Sequence, residues 1–271
     1  MNTLKNHQIL FDAECPMCKV YTQLFVSTGM LDVKGRAAYQ EIPAQACPML
    51  DRQRAANEIA LINQETGEVT YGVQSLFKVL AVAYPVFKPL FANLFFTWLM
   101  TKLYAFISYN RRVIIPASLA ESSFEIQPSF KLQYRLAYLL FTWIVTAAIL
   151  SKYTQLFGNY LPTGNAYREY LICGGQIVFQ GIVISLVNAE KRWAYLGNMM
   201  TISFAGALLL LPGLILATWI QINPICYLIW FMLVAGLMCL EHIRRSKLLK
   251  IGWTLTLTWV LYRLIVLFCI L

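Results

Sequence analysis

Five long apolar stretches, at residues 136–152, 170–187, 196–219, 224–240 and 251–271, fill the second half of this chain. Each is adequate to cross a bilayer as a helix, which takes about 20 apolar residues. Hydrophobic residues make up 59% of the chain and charged ones only 13%, too apolar a balance for an ordinary soluble domain. The charge is also uneven. Up to Phe130, Lys and Arg nearly balance Asp and Glu. From Lys131 onward the acids are Glu169, Glu190 and Glu241, so almost all of the +9 net charge lies in the apolar half. The simplest organisation is a soluble domain at 1–115, a Pro-, Ser- and Glu-containing linker at 116–130 and an all-α transmembrane helical bundle of about five spans at 131–271.

Basic residues give an expected orientation. With five spans, Lys131, Arg135, Lys191, Arg192, Arg244, Arg245, Lys247 and Lys250 share one side, against Lys152 and Arg168 on the other. The basic side is expected to be cytoplasmic. That makes the chain an integral protein of, by expectation, a bacterial cytoplasmic membrane, with its N-terminal domain in the cytoplasm. Residues 1–8 are polar and the apolar run after them is short, so no signal peptide is expected. Pro212-Gly213 is a candidate kink in the third stretch. Gly174, Gly175, Gln176, Gln180 and Gly181 in the second suit close helix packing.

The soluble half reads as alternating elements. Residues 8–12 form a buried strand, 15–29 a helix with Val20, Leu24 and Phe25 inward, and 36–42 a second strand. A loop and short helix at 43–57 precede a hairpin, 58–63 and 68–71, turned by Glu65-Thr66-Gly67, and then a helix at 73–83. The order βαβα then ββα is that of a thioredoxin-type α/β fold. Residues 85–108 are apolar but interrupted by Lys88, Pro89, Asn93 and Lys102. An amphipathic helix lying on a membrane surface, or packed on the domain, is expected there.

The chemistry concentrates in Ile9-Leu10-Phe11-Asp12-Ala13-Glu14-Cys15-Pro16-Met17-Cys18. A strand ends at a turn and a C-P-x-C pair opens a helix. Cys15 falls at the helix start, where unpaired backbone N–H groups and the helix dipole favour a thiolate. Pro16 falls at the first helical position, where a missing N–H costs nothing. Cys18, one turn on, is placed to close a disulfide. These residues give a dithiol redox site with Cys15 attacking and Cys18 resolving. Asp12 is expected to accept the Cys18 proton or to tune both thiols by its charge. Glu14 opposes the Cys15 thiolate, so a reducing or modest potential is expected.

The chain resembles the DCC family of thiol-disulfide oxidoreductases, named for an Asp-Cys-Cys signature that Asp12, Cys15 and Cys18 match. Gly67-Glu68-Val69 leading to Tyr71-Gly72-Val73-Gln74-Ser75-Leu76, and Tyr104 with Asn110-Arg111, also fit. The resemblance covers residues 8–115 and implies a thioredoxin-like fold with disulfide-exchange activity. The chain departs from the family at Ala13, where a Gly is usual. It departs from thioredoxins in having no Pro between Asp51 and Glu58.

Competing readings are weaker. A zinc site needs four ligands, and beyond the pair only His7 and Cys47 stand in this domain. No metal or bound cofactor is expected, the redox-active cysteine pair being recycled by an external thiol reductant. Cys47 is read as a small hydrophobe or as a third exchange thiol. Cys173, Cys226 and Cys269 fall toward the outer face and Cys239 toward the inner, as ordinary helix residues or as a thiol relay. Arg263, well inside the last span, is expected to pair with Glu169 or the terminal carboxylate. His242 is read as an interfacial side chain at a helix end. The expected function is a membrane-anchored thiol-disulfide oxidoreductase. Its expected partners are a protein or small thiol/disulfide substrate, the lipid bilayer and a membrane-protein partner, without nucleic acid. The alternatives are a membrane assembly or scaffold protein with a regulatory or vestigial redox domain, and a transmembrane electron or thiol carrier.

Overall fold

The apolar run ending in Ile9-Leu10-Phe11 forms β1 (His7–Phe11), the central strand of a four-stranded mixed sheet in the order β2-β1-β3-β4. β2 (Arg36–Ala38) pairs parallel to β1, while β3 (Ala60–Asn63) runs antiparallel to β1 and β4 (Val69–Tyr71) antiparallel to β3. Between these strands lie α1 (Pro16–Ser27) and α2 (Arg52–Asn57), and α3 (Val73–Ala83) follows β4. The computed structural model describes residues 2–43, 47–116, 126–162, 164, 165 and 167–270. The chain divides into two units, Met1–Tyr134 and Arg135–Leu271.

Alternation along the strands builds a core on each side of the sheet. Ile9 and Leu61 pack with Phe25 of α1 and Val79 of α3. Leu10, Ala60 and Ile62 pack with Tyr39, Leu50 and the α2 alanines Ala55 and Ala56. Gly72 is required where it stands. At φ +63 it turns β4 into α3, and a β-carbon there would lie 2.5 Å from Glu58 Oε2. One turn on, the buried Ser75 hydroxyl donates back to Thr70 O at 2.7 Å.

Two details differ from the sequence expectation. The second strand stops at Ala38, and Tyr39–Glu41 coils into a 3-10 turn that puts Tyr39 into the core and Gln40 beside Asp12. Helix α1 turns Cys18, Thr22 and Phe25 inward, a stripe of four- and three-residue steps. Val20 and Leu24 are therefore exposed, although both are apolar.

After α3 come a 3-10 turn at Pro85–Phe87, α4 (Lys88–Ala92) and α5 (Leu94–Ile114), with a 90° bend at Asn93. The Asn93 side chain caps α5 by accepting from Phe96 N at 2.9 Å. Residues 117–125 of the expected linker lie outside the described residues. Those at 126–129 bond to the domain. Ile126 O accepts from Tyr39 Oη at 2.8 Å, and Gln127 O accepts from Gln53 Nε2 at 2.9 Å.

The second unit contains α6 (Leu132–Tyr153, beginning in the first unit), α7 (Arg168–Asn188), α8 (Arg192–Ala217), α9 (Pro224–Leu248) and α10 (Thr254–Ile270). Among the described residues three stretches are long and apolar enough to cross a membrane, Leu132–Gly158, Arg168–Ala217 and Pro224–Leu248, and the bent pair Pro85–Ala92 with Leu94–Ile114 makes a fourth if it counts as one span. The middle one holds both α7 and α8, separated by a 3-10 turn at Ala189–Lys191. α10, at 17 residues, is shorter than a full span. Helix α8 runs on through Pro212 without splitting.

α7 is apolar toward the outside and polar toward its neighbours. Glu169, Cys173, Gln176 and Gln180 are buried along one face. Gln180 Oε1 accepts from Tyr195 Oη at 2.9 Å, and Tyr262 Oη donates over Gly175 to Ile172 O at 2.9 Å. His242 is not interfacial. It is 1% exposed, lies 3.2 Å from Tyr195 Oη and 3.0 Å from Thr256 Oγ1, and stacks on Trp259. Glu169 pairs with its neighbour Arg168 at 2.9 Å, whereas Arg263 reaches the Cys173 thiol. The terminal carboxylate lies outside the described residues.

The inward stripe of α1 predicts a sharp contrast. Phe25→Ala should cost about 3–5 kcal/mol and clearly lower the thermal midpoint of the full chain. Leu24→Ala should stay within about 0.5 kcal/mol. Circular-dichroism melts of the two variants check this, and equal losses would contradict the assigned face.

Candidate dithiol site

Phe11 ends β1, and the next residue, Asp12, makes the turn. Its backbone oxygen accepts from Cys15 N at 3.0 Å and its Oδ1 accepts from Glu14 N at 3.0 Å, the local bonding for which Asp is favoured in turns. Ala13 is not among the positive-φ residues, so its β-carbon carries no backbone strain. Cys15 is the N-cap of α1 in extended conformation, with Pro16 at the first helical position. The Cys15 Sγ itself acts as the cap, accepting from Cys18 N at 3.4 Å. Tyr21 Oη donates to Cys18 Sγ at 3.7 Å. The two thiols are free and buried, in a cluster with Phe11 and Ala38.

Asp12 is 1% exposed, and its partners come from distant elements. Arg111, in the last turn of α5, donates from Nη2 to Asp12 Oδ2 at 2.9 Å. Arg112 lies 3.4 Å from the same oxygen and 3.1 Å from Glu14 Oε2. Gln40 closes the other side: its Nε2 donates to Asp12 Oδ1 at 3.0 Å and its Oε1 accepts from Ala13 N at 3.1 Å. The Asp12 carboxylate thus spends its acceptors on Arg111, Arg112, Gln40 and the Glu14 amide. Further Arg111 donors go to Ala56 O at 2.6 Å, Asn57 O at 3.0 Å and Ser108 Oγ at 3.4 Å, just before β3 and within α5, while its buried Nε has no partner among the described residues.

This geometry separates the two thiols. The hydrogen bond from Cys18 to the Cys15 sulfur, with further help from the Arg111 guanidinium, outweighs burial and lowers Cys15 to about 7. The same hydrogen bond, together with burial, raises Cys18 well above the ordinary thiol range. The opposing carboxylate is Asp12, while Glu14 is matched by Arg112. The site therefore holds one thiol lowered and one raised from the ordinary range, both buried.

Sequence reasoning placed Asp12, Cys15, Pro16 and Cys18 together, and the structure brings them together. It assigned no role to Arg111, Arg112 or Gln40. The signal for Arg111 was its place in Asn110-Arg111, two polar residues closing an apolar helix. Cys47 packs with the Leu10 and Ile62 cluster, on the opposite sheet face from Ile9 and Leu61. His7 sits at the other end of β1, with Nδ1 2.7 Å from Lys5 O. Among the described residues no three His, Cys, Asp or Glu side chains converge to hold a metal. No family model, curated protein or solved structure matches the chain.

Asp12→Asn keeps the shape of the side chain and removes the counter-charge of Arg111. Breaking a buried pair from one side costs about 3–5 kcal/mol. The Cys15 midpoint should nevertheless fall below the wild-type value of about 7, because the anion that opposes the thiolate is gone. Iodoacetamide trapping across pH, read by mass spectrometry, checks the direction. A rise would mean that Asp12 supports the thiolate by some other route.

Proposed function

We propose that the chain is a membrane-anchored thiol-disulfide oxidoreductase with Cys15 as nucleophile and Cys18 as resolving thiol. The observation that carries this reading is the Cys15 sulfur at the N-cap of α1, lowered to about 7 by its Cys18 hydrogen bond and the nearby Arg111. In the reducing direction the Cys15 thiolate attacks a substrate disulfide. A Cys15–substrate mixed disulfide forms and one substrate sulfur leaves, taking a proton. Cys18 loses its proton and attacks Cys15 Sγ, releasing the second substrate sulfur. The substrate gains two electrons and the Cys15–Cys18 disulfide holds the oxidation. A thiol reductant returns the pair to its starting state, and the reverse sequence oxidises a substrate dithiol.

Asp12 acts in this reading by charge and position. Its bonds hold the turn and Arg111, and its anion restrains the thiolate that Arg111 favours. The strand order β2-β1-β3-β4, with βαβ followed by ββα, supports a thioredoxin-like fold. The dithiol at the junction of β1 and α1 supports membership of the DCC family. The helices of the second unit serve as the anchor. The excess of Lys and Arg at their ends and short loops favours the cytoplasmic side for the first unit.

Full-length chain in nanodiscs should reduce a model protein disulfide when supplied with a thiol reductant. Cys15→Ser should abolish turnover. Cys18→Ser should trap a mixed disulfide visible as a mass increase. Thiols that stay reduced across a glutathione titration, with no mixed disulfide in Cys18→Ser, would refute the oxidoreductase reading.

A further inference from the structure

The helix that carries Arg111 turns an apolar face away from its own domain. Along α5, Leu94, Phe95, Trp98, Leu99, Leu103 and Ile107 are all exposed, Leu94 at 87% and Trp98 at 56%. Val86, Phe87 and Leu90 extend the same exposure before the bend. A helix on a water-soluble surface keeps polar residues on its outer face, and a continuous exposed apolar patch marks an interaction site.

The inner face is already committed. Phe96 and Phe91 stack against Phe77 of α3, with ring centroids 5.8 and 4.4 Å away. Tyr104 Oη accepts from Ile59 N at 3.0 Å, and Arg111 is bound to Asp12. At 1.5 Å per residue α5 is about 31 Å long, enough to cross a bilayer. Its attachments at Tyr104 and Arg111, however, tie it lengthwise to a polar domain. Its side, not its end, is therefore free for lipid.

Charge identifies the surface. Residues 85–114 contain no Asp or Glu, while Lys88 and Lys102 are exposed beside the apolar face. Cations flanking Trp, Phe and Leu are the composition of helices that lie in the head-group layer of anionic membranes. Trp is also favoured at that depth. The occupant is at hand by connectivity, because the next helix of the chain, α6, lies in a stretch long and apolar enough to cross a membrane.

We propose that the outward face of α4 and α5 lies in the head-group layer of an anionic membrane surface. The site's Arg111 and Arg112 belong to this helix, so lipid contact and the dithiol are joined by one rigid element. The inference rests on membrane attachment of the chain and not on thiol chemistry, so either can fail without the other.

The test uses the full chain with benzoylphenylalanine placed at Phe95, Trp98 or Leu103, or at the exposed control Lys34. It is reconstituted in phosphatidylcholine nanodiscs with and without phosphatidylglycerol and irradiated. Phospholipid adducts at the three helix positions but not at Lys34, severalfold more abundant with phosphatidylglycerol, are the expected result. Lys88→Glu combined with Lys102→Glu should remove that severalfold gain while leaving the packing of α5 on α3 intact. Crosslinks to a second copy or to another part of the chain would overturn the proposal. So would an absence of adducts, or equal yields in the two lipid compositions.

Discussion

The buried pair of Asp12 and Arg111 is the interaction on which the first unit turns. Removing a carboxylate and a guanidinium from water is costly unless their remaining lone pairs and protons are matched. Here most of the matching comes from the backbone of several elements: the Glu14 amide at the start of the turn, and the Ala56 and Asn57 carbonyls at the end of α2. Among the described residues Arg111 Nε alone of its nitrogens has no partner. The pair therefore fastens the end of β1, the end of α2 and the last turn of α5 to one point. Its position also fixes the turn from which Cys15 begins α1. Burial of the charge and the placing of Cys15 at the helix start thus have one structural cause.

That cause was only half legible in the sequence. The strand, the turn and the C-P-x-C helix start are local, and local bonding decides them: Asp12 folds back on Glu14 and Cys15, and Pro16 fits a position with no N–H to lose. Arg111 lies 99 residues from Asp12, and no periodicity or turn chemistry links positions so far apart. At the end of a helix an Arg ordinarily answers the helix dipole in water, so its burial at 4% exposure is a tertiary fact. Glu14 shows the same limit. Read alone it opposes a thiolate, but Arg112 from α5 occupies it. The inward face of α1 was misassigned because Val20 and Leu24 are apolar, whereas the inward stripe includes a cysteine and a threonine.

The apolar half was legible in composition and less so in detail. Hydropathy locates its helices, but the residues that join them are the polar exceptions. Polar groups inside a membrane face other helices and find partners there. The inward face of α7 obeys this rule through Gln180 and its bond with Tyr195. His242 looked interfacial because Arg244 and Arg245 follow it. A helix face advances about 100° per residue, so Arg244 is free to be exposed, while Arg245 is itself buried and donates to Asn198 Oδ1 at 3.0 Å.

The difference between the two thiols has a consequence for the chemistry. Cys15 is lowered and Cys18 raised chiefly by one shared hydrogen bond, which exists only while both sulfurs are reduced. A Cys15–Cys18 disulfide would remove that bond and the thiolate, whereas the Arg111 partners Asp12, Ala56 O and Asn57 O lie outside the thiol pair. The guanidinium therefore has a counter-charge that does not depend on the thiolate. A positive charge held in place by groups outside the reaction is preorganised, and such charges stabilise an anion without reorganisation at the moment it forms. On this argument Asp12 is the cost of keeping Arg111 fixed: it weakens the thiolate slightly and makes the stabilising charge permanent.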